Sequence, residues 1–316
     1  MARLGGMGLL AGYLLLLPVP SQAAAIAVKD ASGRDITIAD PTRIVSVGGS
    51  ITEILYALGL GGRVVAVDST SLYPPEALGQ KPNVGYMRQL SPEGVLGVAP
   101  SLILALEGSG PKDAVAVLQA ANVPFVTVPD RFNAAGIVEK IHTVAKAAGV
   151  PARGECLADA VQSDLDALGE LQAKISKPKR VMFVLSLVGG RAMVAGRGTA
   201  ADGILNLAGA ANAITEYEGY KTIDDEAVIA AKPDAILVMQ RGREALTADA
   251  VFGLPSFAAT PAGQTKTFVA MDGLYLLGFG PRTAAAARDL AAALYPGQSG
   301  AALPSEGKAA IAACAQ

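Results

Sequence analysis

The chain has 316 residues, a formal net charge of −2, 51% hydrophobic residues and 17% charged residues. At about 100–200 residues per domain, this length allows two domains with complete cores. The composition excludes an intrinsically disordered chain, and a charge this close to neutral lacks the positive field that nucleic-acid binding requires. We therefore expect no nucleic-acid partner.

The first 24 residues predict a cleaved signal peptide. Arg3 gives a positive start, residues 4–18 are apolar and rich in leucine, and small residues surround Ala23. This apolar stretch is shorter than the ~20 residues that a membrane-spanning helix needs. No cysteine lies near the cleavage site, so we expect no lipid anchor there. An exported protein without an anchor needs an outer wall to retain it, which favours a periplasmic location.

Strand and helix patterns alternate after the signal peptide. Short apolar runs predict strands over residues 44–47, 64–67, 102–105 and 125–128. Helical spacing of apolar residues predicts helices over residues 50–58, 91–98, 114–121 and 135–148. Ser91 is a good N-cap, and Pro92 is favoured in a first turn. The alternation predicts a mostly parallel sheet with helices on both faces.

A long helix is predicted over residues 152–175, bounded by Pro151 and Pro178, because this stretch is rich in Ala and Leu and lacks a strand pattern. A second series of elements follows it. Its strands are predicted at residues 181–185, 235–239 and 267–271, and its helices at residues 200–207, 226–231 and 282–294.

The two series resemble each other. Glu93 precedes Pro100 by seven residues, and Glu226 precedes Pro233 by the same seven residues within a similar segment. This repeat favours an α/β fold of two similar lobes joined by a single long helix over one large α/β domain. The predicted units are the signal peptide (1–24), the N-terminal lobe (25–150), the linking helix (151–176) and the C-terminal lobe with its tail (177–316).

Two cysteines, Cys156 and Cys314, leave two alternatives open. In an oxidising compartment they can form a disulfide that ties the tail to the middle of the chain. Equally, they can be two unpaired small apolar residues, since pairing depends on geometry that the sequence does not supply.

Enzyme signatures are missing from the sequence. There is neither a phosphate-binding loop of the G-x-x-x-x-G-K-[ST] type nor a G-x-S-x-G nucleophile elbow. The single histidine, His142, rules out a zinc site made of several imidazoles. A binding protein that catalyses no reaction is therefore expected, with a periplasmic α/β enzyme as the alternative from another class.

Loops that follow strands and helices should line a cleft between the lobes. Aromatic, thioether and guanidinium groups there suit a flat, apolar ligand that carries carboxylates, although each group is also an ordinary turn residue. The candidate loops are residues 69–75, 83–90, 189–198, 240–243 and 272–282. They carry Tyr73, Tyr86, Met87, Arg88, Arg191, Arg197, Arg241, Tyr275 and Arg282.

Residues 83–94 (Asn-Val-Gly-Tyr-Met-Arg-Gln-Leu-Ser-Pro-Glu-Gly) resemble the heme-contact segment of the periplasmic heme-binding proteins of hemin ABC transporters. Residues 193–202, 218–220 and 271–282 are similar to other stretches of that family. The resemblance covers nearly the whole chain after the signal peptide. It implies two helix-linked lobes that hold heme as the transported ligand, with Tyr86 as axial ligand to the iron.

The resemblance also implies supporting residues. An arginine of the C-terminal lobe should support the tyrosine ligand, which favours Arg241 over the competing Arg243. The full set of expected heme contacts is Tyr86, Met87, Arg88, Arg197, Arg241 and Tyr275. Some family members add a histidine from the C-terminal lobe, but this chain has none after His142, so five-coordinate heme is expected.

The chemistry of Tyr86 agrees with this role. A phenolate is a hard, anionic oxygen ligand that suits ferric iron. Because free tyrosine has a pKa near ~10, ligation at neutral pH needs the metal charge or nearby cations, and Arg88 lies two residues away.

Glu93 and Glu226 are interpreted as the residues that dock the two lobes on an ABC transporter permease, as the resemblance implies. The alternative is that each carboxylate only favours the positive end of its helix. An outer-membrane heme receptor is the expected indirect donor, and the protein is expected to be a monomer. A ferric siderophore or a cobalamin is the alternative cargo.

Overall fold

The structure, a computed structural model, describes residues 1, 25–240, 246–297, 303 and 314–315. The predicted signal peptide beyond Met1 lies outside the described residues, and so do Arg241 and Arg243. Within the described residues, no helix combines the length and the apolar character that crossing a membrane requires.

The N-terminal lobe begins with a two-stranded antiparallel sheet and continues with a four-stranded parallel sheet of order β4-β3-β5-β6. The strands of this lobe are β1 (Ile26–Lys29), β2 (Asp35–Ile38), β3 (Ile44–Val47), β4 (Val64–Val67), β5 (Leu102–Leu106) and β6 (Phe125–Val128). Its helices are α1 (Gly49–Ala57), α2 (Pro75–Gln80), α3 (Pro92–Leu96), α4 (Lys112–Ala120) and α5 (Ala134–Ala147), with a 3-10 turn at Gly61–Arg63.

The central strands of this lobe are buried along their whole length. Every residue of β3 and β5 is buried, as expected of parallel strands that are covered by helices on both faces. The β1–β2 hairpin was not predicted from the sequence. It is anchored by Asp30, whose carboxylate binds the Arg34 guanidinium at 2.6 Å and both backbone N–H groups of Ser32 and Arg34.

The predicted long helix is α6 (Pro151–Gln172), which packs along α5 of the first lobe. The two helices approach closely at Gly154, because a Cβ there would lie only 2.3 Å from the Cβ of Ala145. At its other end, the Gln172 amide donates hydrogen bonds to the carbonyl groups of Asn206 and Leu207 in the second lobe. The helix is thus fixed to both lobes.

The C-terminal lobe is built on a mixed sheet of order β10-β8-β7-β11-β12, and β9 also pairs with β7. Its strands are β7 (Arg180–Val188), β8 (Arg191–Ala195), β9 (Ala211–Asn212), β10 (Tyr220–Ile223), β11 (Ala235–Gln240) and β12 (Phe268–Asp272). Its helices are α7 (Ala200–Leu207), α8 (Asp225–Ala231), α9 (Ala248–Phe252), α10 (Pro255–Ala258), α11 (Pro261–Thr265), α12 (Gly273–Leu277) and α13 (Thr283–Leu294).

The fold of two similar α/β lobes joined by one long helix is confirmed, with one change in the second lobe. The prediction that residues 189–198 form a loop is wrong, since β8 occupies half of them and pairs with β7 in antiparallel fashion. Gly189 and Gly190 have φ of +58° and +79°, which is the backbone that a two-residue hairpin turn requires. Residues 272–282 likewise include a helix, α12, rather than a continuous loop.

The tail returns from the second lobe to the first. Cys156 of α6 and Cys314 form a disulfide, with their Cα atoms 5.6 Å apart. The neighbouring Ala315 lies against Gly59, where the carbonyl oxygen of Ala315 would be 2.9 Å from a Cβ. The tail therefore gives the two lobes a second connection besides α6.

Candidate ligand-binding site

A cavity of about 310 Å³ lies between the two lobes, and both lobes contribute to its walls. Its size is at the lower end of the ~300–1,000 Å³ usual for small-molecule sites. In each lobe the lining residues lie at or after the carboxyl end of a parallel strand, which is where α/β sheets bind ligands. The lining residues are Leu72, Tyr73, Asp272, Leu274, Tyr275 and Arg282.

The loop that carries Tyr86 is fixed to the same edge of the N-terminal lobe. Ser69 donates its backbone N–H to the carbonyl of Gly85 at 2.8 Å, and Gly110 donates to the carbonyl of Met87 at 2.9 Å. The loop therefore bridges the segments that follow β4 and β5. Gly85 has a φ of +96°, a backbone that favours glycine, so the turn that presents Tyr86 depends on the residue before it.

The Tyr86 side chain points outward from this loop. It is 38% exposed, and its hydroxyl has no hydrogen-bond partner among the described residues. Met87 next to it is buried in the core of the lobe, and Arg88 is exposed. Tyr86 and Arg88 are thus both exposed on this fixed loop, and neither side chain has a partner among the residues that the structure describes.

Asp68 holds the neighbouring loop, which carries Leu72 and Tyr73. Its carboxylate is fully buried and accepts hydrogen bonds from the backbone N–H of Gly48 at 2.9 Å and of Thr70 at 3.0 Å. It also accepts from the Ser71 hydroxyl at 3.1 Å. This aspartate was not recognised in the sequence, because nothing in its neighbourhood distinguishes it from a surface turn residue.

Arg282 is one of the residues that line the cavity. Its guanidinium carbon lies 3.6 Å from the ring centroid of Tyr73 and 5.2 Å from that of Tyr275, so a cation rests between two aromatic faces. Arg282 Nη2 donates to Glu53 at 2.9 Å, and its backbone N–H donates to the other carboxylate oxygen at 3.1 Å. Glu53 belongs to the N-terminal lobe, so this ion pair joins the two lobes beside the cavity.

Tyr275 differs from Tyr86 in that its hydroxyl is engaged. It donates a hydrogen bond to Asp289 at 2.9 Å. Burial, and then this hydrogen bond, raise the pKa of Tyr275 far above the ordinary value for tyrosine. The ring remains a neutral phenol at physiological pH, which suits a wall of the cavity and not a metal ligand.

A second polar contact joins the two lobes. The Lys140 side chain is fully buried, and its ammonium donates to Asp130 at 2.6 Å and to the Phe279 carbonyl of the other lobe at 3.1 Å. Burial lowers the pKa of Lys140, and the nearby Asp130 carboxylate opposes that shift. The Phe279 ring packs edge-on against Phe132 at 5.2 Å. The contacts of Glu53 and Lys140 between the lobes were not recognised in the sequence. Both residues lie on predicted helices, where charged residues are usually expected to be exposed.

Tyr86, Met87, Arg88 and Arg197 are not among the residues that line the cavity. Arg197 follows β8, whose antiparallel course leads toward the amino ends of β7 and β11, and its backbone pairs with Glu218. Gln240, the last described residue before Arg241, pairs with Asp272 of the cavity wall. Sequence reasoning placed Tyr73 and Arg282 in candidate loops without selecting them as contacts, and the cavity brings them together.

Glu93 and Glu226 are exposed in the first turns of α3 and α8. Each helix begins with a side-chain cap: Ser91 accepts from Gly94 at 3.3 Å, and Asp224 accepts from Ala227 at 2.8 Å. The equivalent positions predicted from the repeat are thus equivalent in structure. Among the described residues, no group of three or more His, Cys, Asp or Glu side chains could hold a metal ion.

Comparison with protein families gives one clear match. The family described as "Periplasmic binding protein" matches residues 44–274, which is most of the chain. An ABC transporter substrate-binding lipoprotein of Bacillus subtilis, YvrC, is 30% identical over 86% of each chain. A vitamin B12-binding protein of Yersinia pestis is 26% identical over 71% of this chain and 77% of its own length.

Solved structures give closer sequence matches. The periplasmic heme-binding protein RhuT from Roseiflexus sp. RS-1, in its apo form, is 39% identical with a TM-score of 0.75, covering 87% of this chain and 99% of its own. The periplasmic heme-binding protein BhuT, in complex with two hemes, is 38% identical with a TM-score of 0.76. That match covers 80% of this chain and 97% of BhuT.

Proposed function

We propose that this chain, which belongs to the periplasmic binding protein family, binds heme between its two lobes and delivers it to the permease of an ABC importer. The observation that carries the proposal is the exposed Tyr86 on a fixed loop after β4, whose hydroxyl has no hydrogen-bond partner among the described residues. Sequence identity of 38–39% to two periplasmic heme-binding proteins supports the proposal. Heme is the transported ligand here and not a resident cofactor.

Tyr86 would ligate the ferric iron as a phenolate. Its hydroxyl has no competing partner among the described residues, so ligation breaks no existing hydrogen bond. Arg88, two residues away and exposed, supplies positive charge that favours the phenolate. Arg241 and the competing Arg243 follow β11 beyond the described residues, and our proposal keeps the first of them as the C-terminal lobe's support for the ligand. Met87 is buried and Arg197 does not line the cavity, so their roles as heme contacts stay predictions from the sequence.

The proposal is tested by titrating the purified protein with hemin while the visible spectrum is recorded. The expected result is a high-spin ferric tyrosinate spectrum that Tyr86→Phe abolishes, with affinity lowered by about a hundredfold, or ~2.8 kcal/mol. Tyr220→Phe is the matched control, because Tyr220 is also 38% exposed but lies on the edge strand β10. Equal losses in both variants, or a wild-type protein that does not bind hemin, would contradict the proposal.

Cobalamin is the second candidate cargo, because relatives named vitamin B12-binding proteins match 71% of this chain at 26% identity. A cobalamin titration of the same preparation separates the two. Binding of cobalamin without binding of hemin would replace the first proposal, and a ferric siderophore is tested in the same way.

Export to the periplasm follows from the proposed signal peptide, residues 1–24. The mature protein would then comprise the N-terminal lobe (25–150), the linking helix (151–176) and the C-terminal lobe with its tail (177–316). Mass spectrometry of the protein from an osmotic-shock fraction checks this, and the expected mature chain begins at Ala25. We further propose that the protein is a monomer, that it receives heme indirectly from an outer-membrane receptor, and that Glu93 and Glu226 dock it on the permease.

A further inference from the structure

We infer that Arg282 binds a carboxylate of the cleft ligand, so that the inter-lobe cavity selects planar ligands that carry ionised carboxylates. This inference rests on the proposed function and makes it more specific, because it names the part of the ligand that the second lobe recognises. Tyr86 in the first lobe would take the metal, and Arg282 in the second would take an acidic edge of the same ligand.

The guanidinium of Arg282 is held in place with donors to spare. Tyr73 and Tyr275 flank it at 3.6 Å and 5.2 Å, which fixes its plane. Among the described residues, Glu53 is the one hydrogen-bond partner of the Arg282 guanidinium, and it accepts from Nη2 at 2.9 Å. The Nε atom is buried and has no partner there. A guanidinium carries five N–H donors, and burying one without a partner is costly. The side chain still keeps 23% of its surface, so a ligand oxygen can reach it.

Two other polar groups of the cavity already have partners in the protein. The Asp272 carboxylate accepts the backbone N–H of Tyr275 at 2.8 Å. The Tyr275 hydroxyl donates to Asp289. Leu72 and Leu274 complete an apolar wall. Arg282 is the one cation among the described residues that line the cavity, so it is the group that pairs with acceptor oxygens on a flat, apolar ligand.

The carboxylate site depends on contact between the lobes. Glu53 is only 5% exposed and reaches Arg282 from the first lobe, while Arg282 and Tyr275 belong to the second. The flanking ring of Tyr73 again comes from the first lobe. Arg282 is oriented for a ligand only when the lobes are together, so carboxylate binding and lobe contact support each other.

Three porphyrins separate metal ligation from carboxylate binding. Hemin has both iron and carboxylates, hemin dimethyl ester keeps the iron without ionised carboxylates, and protoporphyrin IX keeps the carboxylates without iron. Wild-type protein is expected to prefer hemin to its ester by about tenfold or more, the size of a charge-assisted hydrogen bond. Arg282→Gln is expected to remove that preference and to weaken the binding of protoporphyrin IX by a similar factor. The affinity for the ester should change little.

The control is Arg131→Gln, which removes an exposed arginine that pairs with Glu139 at 3.3 Å away from the cavity wall. It should keep the full preference for hemin. If wild-type protein shows no preference between hemin and its ester, the inference is overturned. It is also overturned if Arg282→Gln weakens hemin and the ester equally, since Arg282 then only holds the lobes together.

A second variant covers the case in which Arg282→Gln does not fold. Arg282→Lys keeps the charge but loses the planar fork, and should reduce the preference for hemin about threefold or more. An undiminished preference in folded Arg282→Lys would reject the inference. Failure of the proposed function has a different signature: Tyr86→Phe would then leave hemin and its ester unaffected, whatever protoporphyrin IX does.

Discussion

The two lobes share one plan of strands and helices but build different edges at the cleft. In the N-terminal lobe, all four strands of the main sheet are parallel, and backbone hydrogen bonds fix the loops after β4 and β5 to each other. In the C-terminal lobe, the β7–β8 hairpin makes the sheet mixed, and the cleft edge is formed by α12 and Arg282.

This difference assigns different chemistry to the lobes. The first presents a tyrosine whose hydroxyl is free among the described residues, on a loop that the fold holds rigidly. The second engages its own tyrosine hydroxyl with Asp289 and presents a cation instead. One lobe can therefore supply an anionic metal ligand and the other a partner for ligand acids, and each of the following changes tests part of that division.

Asp68→Ala should have the largest effect on stability, because it breaks the loop that forms the first lobe's part of the cavity. The buried carboxylate accepts bonds from two backbone N–H groups and from the side chains of Thr70 and Ser71. Leaving these donors unpaired should lower the free energy of unfolding by about 3 kcal/mol. Urea denaturation measures this, and a loss below about 1 kcal/mol would show that the network does not hold the loop.

Lys140→Met tests the contact between the lobes. The change keeps the length of the side chain but removes the bonds to Asp130 and to the Phe279 carbonyl. A loss of about 2 kcal/mol in the free energy of unfolding is expected, since one buried carbonyl loses its partner. Lys146→Met, on the exposed face of the same helix, is the matched control and should cost about 0.5 kcal/mol or less. Equal losses would mean that burial of Lys140 contributes nothing specific.

Most of the fold was predictable from the sequence, because the strands of the first lobe are short apolar runs separated by helical spacing. The strands at Ile44–Val47, Val64–Val67 and Phe125–Val128 were predicted with their observed bounds. The short strand β10 was missed because its residues are mostly exposed and carry no apolar alternation. The β7–β8 hairpin was missed although Gly189 and Gly190 form a recognisable turn signal.

The site was predictable only in part. The motif around Tyr86 is local in sequence, so its loop could be identified there. Arg282, Glu53 and Lys140 act through contacts across more than a hundred residues, namely 229 for the first pair and 139 for Lys140 with Phe279. No local pattern reports such a pairing, because a charged residue on an amphipathic helix looks the same whether it faces solvent or another lobe.

Asp272→Ala makes the equivalent change in the second lobe. It should lower the free energy of unfolding by less than Asp68→Ala does. Asp272 is the last residue of β12 at the cleft edge, but it is exposed and caps α12 with one bond from the Tyr275 N–H at 2.8 Å. Loss of a helix cap costs about 1 kcal/mol. The same urea experiment should therefore give a larger loss of stability for Asp68→Ala than for Asp272→Ala. A cost for Asp272→Ala equal to that for Asp68→Ala would show that both cleft edges are held equally firmly.

The smallest change in stability is expected for Glu93→Ala and Glu226→Ala. These variants test a feature that the two lobes share. Both residues are exposed in the first turn of a helix, where a carboxylate contributes about 0.5 kcal/mol through the helix dipole. If they dock the two lobes on the permease, heme uptake reconstituted with the transporter should fall in each single variant, and about tenfold in the double variant. Glu170→Ala, an exposed acid on the linking helix, is the control. Since the carboxylates occupy equivalent positions in the two lobes, the single variants should lose similar amounts. Uptake that survives the double variant would leave both residues with only the helix-dipole role.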